Sequence, residues 1–361
     1  MKIRCASLWM LAFLFLFAGS ALAQQPAPPA PATQAPAAAA TQQNQTPAQP
    51  LPPQPVNPLQ NQQPAIKVTT GLVHLVATVT DRHHNFVTDL DQKDFKVLED
   101  GVPQDIKFFG RETDLPLRIG LLLDTSNSIR NRLEFEQDAA IDFLDSVIRH
   151  NHNDLAFLMT FDNEPEIIQD YTGDISMLTT AIRNQRAGGG TALNDAIVLA
   201  AEKLLKAPAP TTVDTAVRRV LVVISDGDDN LSDHALSDAI EAAIRAEAAI
   251  YSISTNTDWL TTDTATPQKQ HLEAGDRVLE EFAYQSGGRV FYPYRVEDLA
   301  QSFVDIGSEL RSQYFIAYSP SSPQSNGQYR KISVTTDRKG LTVRTRRGYY
   351  STAPPPPPAD K

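Results

Sequence analysis

The stretch Leu121-Leu122-Leu123-Asp124-Thr125-Ser126-Asn127-Ser128 is an apolar run that stops at a carboxylate and continues into hydroxyls two residues apart. It reads as a buried strand delivering an Asp-x-Ser-x-Ser loop. Outward from it, between Leu115 and Ser312, short apolar runs alternate with amphipathic helical patterns. The candidate strands are Leu117 to Leu123, Leu155 to Phe161, Val220 to Ile224, Ile250 to Ser254 and Arg289 to Tyr292. The candidate helices are Phe135 to Ile148, Ala192 to Leu205, Ala235 to Ala246, Arg277 to Tyr284 and Val296 to Leu310. This alternation predicts a doubly wound α/β fold, a mostly parallel sheet flanked by helices, because only a sheet covered on both faces tolerates such uninterrupted apolar strands.

On either side of that block the apolar period is two. Val73, Leu75, Ala77 and Val79 alternate with other residues, and Phe95-Lys96-Val97 and Ile106-Lys107-Phe108 flank Asp100-Gly101, where a hairpin turn is expected. The period returns in Tyr314 to Tyr318, Ile332 to Val334 and Leu341 to Val343. Three short strands do not make a stable unit alone. Residues 66–114 and 313–350 are therefore expected to pair into one small antiparallel β domain, with the α/β domain of 115–312 inserted in it or flanked by it.

The ends have other compositions. Residues 1–23 combine Lys2 and Arg4, an apolar run from Leu8 to Ala18 and the ending Ala21-Leu22-Ala23, the pattern of a cleaved signal peptide. Residues 24–65 hold almost only Pro, Ala, Gln, Thr and Asn and carry no charge, so they are expected to form a disordered spacer. A Pro-rich tail occupies 351–361. The lone cysteine, Cys5, lies within the signal segment, so the mature chain has no disulfide and no thiolate metal site. Removing Lys2 and Arg4 with that segment takes the formal charge from −11 to −13. Such an acidic chain is a poor partner for nucleic acid or anionic membranes, and no run after Ala23 is long and apolar enough to span a bilayer. The expected location is exported: periplasmic, cell-envelope or extracellular.

Alone, Asp124, Ser126 and Ser128 also fit a helix N-cap. Two further stretches bear on that choice. Val220-Leu221-Val222-Val223-Ile224-Ser225-Asp226-Gly227 is a second apolar run ending in a carboxylate, and Gly188-Gly189-Gly190-Thr191 sets a hydroxyl before a helix. Two carboxylates and three hydroxyls are thereby offered at the strand ends where α/β sheets bind ligands. The donors are hard oxygens, suited to Mg²⁺, with Mn²⁺ or Ca²⁺ as substitutes. Direct ligation by hydroxyls under-neutralises a dication, which then favours a carboxylate from elsewhere.

These three segments resemble the metal-ion-dependent adhesion site of a von Willebrand factor A domain. Asp124, Ser126 and Ser128 match its first motif, Thr191 its Gly-Thr loop and Asp226 its later Asp-Gly. The wider chain, roughly Ile66 to Tyr350, is similar to a bacterial VWFA-related family described mainly from acidobacterial proteins. Asp94-Phe95-Lys96-Val97-Leu98-Glu99-Asp100-Gly101, Ser312-Gln313-Tyr314-Phe315 and Arg347-Gly348-Tyr349-Tyr350 carry that likeness.

The resemblance implies a metal site of Asp124, Ser126, Ser128, Thr191 and Asp226 that binds an acidic side chain of a protein partner. It also implies a last helix, Val296 to Leu310, that shifts with the state of the site. The stripe Leu299, Phe303, Ile306 and Leu310 on that helix fits an ordinary core helix equally well.

Asp228, Asp229 and Asn230 read as a solvated loop capping the helix after it. His83-His84, His150 and His152 read as surface residues. No His-Glu-x-x-His, Gly-x-Ser-x-Gly or Walker loop occurs. The expectation is a non-enzymatic exported adhesion module. A Mg²⁺-dependent phosphoryl hydrolase competes with it, although Ser126 stands where haloacid-dehalogenase-type phosphatases need a second Asp. An architectural envelope protein with a structural metal is the third reading.

Overall fold

Residues 71–111, 115–148, 151, 153–210, 217–256, 273–293, 296–322 and 326–351 are described in the computed structural model. The signal segment (1–23), the spacer (24–65), residues 352–361 of the tail, His150 and His152 lie outside the described residues. The chain begins with β1 (Val73–Thr80), β2 (Phe95–Glu99), β3 (Val102–Gln104) and β4 (Ile106–Gly110). There follow β5 (Leu117–Asp124), α1 (Leu133–Ile148), β6 (Leu155–Phe161), β7 (Pro165–Thr172), α2 (Ile175–Arg183), α3 (Leu193–Leu205), β8 (Arg218–Ser225), α4 (Leu236–Arg245), β9 (Ala248–Ser254), α5 (Ala274–Ser286), β10 (Val290–Phe291) and α6 (Val296–Leu310). The last strands are β11 (Tyr314–Tyr318), β12 (Tyr329–Thr336), β13 (Thr342–Arg344) and β14 (Gly348–Tyr350).

The central sheet has the order β10-β9-β8-β5-β6-β7. β5, β6, β8, β9 and β10 run parallel, and β7 is an antiparallel edge. Every residue of β5 is buried, because helices cover both of its faces. Ile119, Leu121 and Leu123 pack with the apolar sides of α1, α2 and α6. Leu122 turns to the other core, shared with α3, α4 and α5. The doubly wound reading of the sequence therefore holds. Strand β7 and helix α2 went unpredicted. β7 is half-exposed along its length, which leaves no clean alternation, and α2 is short, its start fixed by Asp174 accepting from Ser176 N at 2.8 Å.

The order of strands places the crevice. β5 leads through α1 to β6 on one side, whereas β8, its neighbour on the other side, is entered from α3 on the opposite face. Loops leaving adjacent strands β5 and β8 thus diverge, and ligands of open α/β sheets sit at such a switch point.

Two four-stranded sheets, β13-β1-β11-β4 and β14-β12-β2-β3, complete the structure. Each mixes strands from before and after the α/β block: Leu75 pairs with Ile316, and Val97 with Val334. They share one core of Val73, Leu75, Phe95, Ile316 and Ile332, among others. The turn at Asp100-Gly101 is present, with φ of 48° and 83°, the mirror-image turn that suits two-residue hairpins. Its second strand is β3, however, and not Ile106 to Phe108: β4 leaves for the other sheet and pairs with β11.

Candidate functional site

β5 ends in Asp124, which is fully buried. Its Oδ1 accepts from Ser126 N at 2.8 Å, and its Oδ2 accepts from Ser225 Oγ at 2.7 Å. The Oγ atoms of Ser126 and Ser128 lie 2.9 Å apart. Helix α1 starts only at Leu133, and Ser126 makes no side-chain cap bond to the short 3-10 turn of Asn127–Ile129. The helix-cap reading of this loop therefore fails.

The glycine-rich loop docks on the first: Gly188 N donates to Thr125 O at 2.7 Å, and Asn127 N donates to Gly189 O at 3.3 Å. Thr191, nearly fully buried, is held by the third loop. Its N–H donates to Asn230 Oδ1 at 3.0 Å, and its carbonyl accepts from Asn230 N and Leu231 N. Asp226 follows β8, and its Oδ1 accepts from Asp228 N at 3.2 Å. Gly227 has φ of 77°, and a Cβ there would lie 2.2 Å from Gly275 O, so only glycine allows α5 to approach this closely. Asp229 does not cap α4; its Oδ2 accepts from Asn194 N at the start of α3. His83 and His84 lie on an exposed turn around Asp81.

The structure thus brings the Asp124, Thr191 and Asp226 loops together, with Ser128 on their exposed side and Asp124 at the base. Its electrostatics are one-sided. Burial pushes the Asp124 carboxyl up to about 6 against the hydrogen bonds from Ser225 and Ser126, and the Asp226 charge pushes the same way. Asp228 is raised by burial and then by Asp226, Glu273 and Asp276. Among the described residues, no Lys or Arg makes an ion pair with Asp124 or Asp226.

A residue passed over in the sequence adds to this. Glu136 of α1 is fully buried, and neither carboxylate oxygen has a hydrogen-bond partner. Burial pushes it up to about 8; Arg132 opposes this, and the charges of Asp124 and Asp226 add to it. A signal existed, since Glu136 falls on the stripe of Leu133, Ala140, Phe143 and Val147, where a helix buries apolar residues. Ser225, which holds Asp124, was also passed over, as a residue between a strand and an Asp-Gly.

Among the described residues, no group of three or more His, Cys, Asp or Glu side chains is arranged to hold a metal. The candidate set here is smaller in carboxylates, with Asp124 and Asp226 beside the hydroxyls of Ser126, Ser128 and Thr191. These groups fit a hard divalent cation in two respects: all are oxygens, and neither Asp124 nor Asp226 makes an ion pair with a described Lys or Arg.

Residues 119–228 match the von Willebrand factor type A domain. A comparison with curated proteins gives no match. Among solved structures, a von Willebrand factor type A protein from Catenulispora acidiphila is 12% identical with a TM-score of 0.44, covering 81% of this chain and 76% of that one. An aerotolerance-related membrane protein from Bacteroides fragilis is 19% identical with a TM-score of 0.41, covering 54% and 98%. The PilB minor pilin from Streptococcus sanguinis is 13% identical with a TM-score of 0.41, and this chain spans only 62% of the pilin's length while 55% of this chain is covered. Within the α/β part, it is residues 119–228 that carry the match to a von Willebrand factor type A domain.

Proposed function

We propose that the protein is an exported, non-enzymatic binding module that captures a protein partner through a Mg²⁺-dependent site completed by a carboxylate of that partner. The observation that carries this reading is the pair of buried acids, Asp124 and Asp226, set among loop hydroxyls with no ion pair to a described Lys or Arg. Ser126, Ser128 and Thr191 would hold the ion through their hydroxyls, with Asp124 and Asp226 orienting those groups and supplying charge. The ion, when bound, supplies a positive centre that attracts an outside carboxylate. The chain itself fixes the loops: Ser225 and Ser126 N–H hold Asp124 in place, and Asn230 clamps Thr191.

The test is a pull-down from the native envelope with Mg²⁺ and with EDTA, using Asp124→Ala and Thr191→Ala as variants. Capture by the wild type that EDTA abolishes, and that neither variant shows, is the expected result. Full capture by either variant under EDTA-sensitive conditions sinks the site. Melting under both conditions adds a second readout: stabilisation by Mg²⁺ with no partner captured favours a structural metal instead.

A further inference from the structure

The sheet β14-β12-β2-β3 buries Ile332 and Val334 of β12 in the core of the flanking strands, and Tyr329, out of step with them, turns to the other face. There it joins a row of tyrosines and arginines drawn from four elements. The Arg347 guanidinium stacks over the Tyr284 ring of α5, 4.0 Å from its centroid. Tyr329 lies across Gly348, where a Cβ would collide with its ring. Tyr350, paired with Tyr329 between the strands, meets that ring edge-on with centroids 5.3 Å apart, and Arg245 of α4 stacks over Tyr350 at 4.2 Å. Burial pushes the Tyr329 phenol up; Tyr350 and Tyr284 act in the same direction, and Arg346 and Arg347 against it, so the row is electrostatically continuous.

Tyr284 is 53% exposed and Tyr329 39%. Single apolar side chains on a surface are ordinary, whereas a connected row of Tyr and Arg has the composition of a binding face. Its chemistry is specific. The guanidiniums can only donate hydrogen bonds, the phenols can donate them, and flat ring faces lie between. A proline run is the converse: it carries carbonyl acceptors without N–H groups, its rings pack on aromatic planes, and its fixed φ lowers the entropy lost on docking. An anion is less suited, because Arg245 already donates to Glu241 Oε1 at 2.8 Å.

We propose that this row is the docking face for the chain's own Pro354 to Pro358. The chain leaves β14 one residue past Tyr350. Ser351 N donates to Gln328 O at 3.0 Å and Ser351 O accepts from Gly327 N at 2.8 Å, which fixes the exit beside Tyr329. Only Thr352 and Ala353 separate Ser351 from the five prolines. A polyproline run of that length extends about 15 Å, the scale of a few stacked rings. So short a tether gives an effective concentration in the millimolar range, so weak intrinsic affinity is enough, and the tethered run outcompetes a dilute proline-rich partner. Docking also covers exposed aromatic surface beside β14, an edge strand of its sheet.

The experiment compares the mature chain with a variant carrying Pro354→Ser through Pro358→Ser, which leaves every residue of the folded part in place. Nuclear magnetic resonance of ring-labelled tyrosines is the readout. The Tyr329 and Tyr350 signals are expected to move between the two proteins, while that of Tyr171, on β7, stays. A synthetic peptide of residues 352–361 should return the variant's signals to their wild-type positions. It should bind the wild type at least about threefold more weakly than the variant, because the tethered run already holds the row. In the serine variant, adding Tyr284→Ala, at an exposed position, should weaken the peptide by about threefold or more while the melting temperature is kept. Unmoved tyrosine signals, no peptide binding to the serine variant, equal affinity for both proteins or undiminished affinity with Tyr284→Ala would overturn the proposal. Signals that shift with protein concentration would overturn it too, by assigning the row to a second copy of the chain.

Discussion

Two fully buried glutamates lie on neighbouring helices of one face of the sheet, and their surroundings are opposite. Glu309, at the end of α6, accepts through Oε1 from Thr78 Oγ1 at 3.0 Å, from Tyr251 Oη at 2.7 Å and from Arg344 Nη2. Gln313 extends this network, donating to Thr78 Oγ1 and Tyr251 Oη at 3.1 Å each. Its partners come from β1, β9 and β13, so a single carboxylate ties the α/β layer to the flanking strands. Glu136, near the start of α1, has no hydrogen bond to either carboxylate oxygen and feels the charges of Asp124 and Asp226, with Arg132 opposing them. A buried acid with a full complement on one oxygen is a latch; a buried acid with none marks a place where charge awaits a counter-ion or a proton.

The largest effect is expected on breaking the latch. Glu309→Ala leaves Arg344 half-buried and uncompensated and frees Thr78 and Tyr251 from their acceptor, so denaturant melts should show a loss of about 3–5 kcal/mol. Pairing it with Arg344→Met should cost less than the sum of the two single changes, because the second change removes the stranded charge. Additive losses would show that the contact holds no more than its separate halves.

The second effect distinguishes Glu136 by sign. Its folded carboxyl is raised to about 8, above its unfolded range, so its contribution to stability is fully present at low pH and is lost as pH rises from about 4.5 through about 8. In metal-free protein, stability should therefore fall over that window by an amount on the order of a few kcal/mol. Glu136→Gln, which cannot ionise, should flatten this part of the profile while matching the wild type near pH 5. An unchanged slope in the variant would assign the pH dependence to other acids.

The contrast between the two glutamates also shows where sequence reading reaches. Leu117 to Leu123 was legible because burial on both faces demands an unbroken apolar run, and the stripe of Leu299, Phe303, Ile306 and Leu310 because a helix buries one side. The Asp100-Gly101 turn was legible from its two residues. The destination of β4 was not, since local alternation says nothing about which of two sheets a strand joins, and β4 abandons the hairpin to pair with β11. Nor was the role of Asp229, which bonds across the loops to α3 when its sequence neighbourhood points to α4. At the candidate site, the motif residues announce themselves by type and spacing. Glu136 looks like one helical carboxylate among several until the fold shows that its carboxylate is buried without a hydrogen-bond partner.

The smallest effect concerns whether the two acids are linked. Helix α1 carries Glu136 near its start and, two turns on, stacks Phe143 on Phe303 of α6 with ring centroids 5.0 Å apart. Helix α6 in turn carries Glu309 and runs into β11, which pairs with β1. On the proposed reading, Mg²⁺ bound at the Asp124 loops would neutralise the charge around Glu136 and favour an arrangement of α1 that draws that carboxylate toward the site, and close packing would pass the change to α6. A coupling of about 1 kcal/mol would slow amide exchange about fivefold across residues 296–318 on addition of Mg²⁺. The same addition to Asp124→Ala should leave those amides unchanged. If the wild-type amides also stay unchanged while Mg²⁺ raises the melting temperature, the latch and the site are independent features that share one face of the sheet.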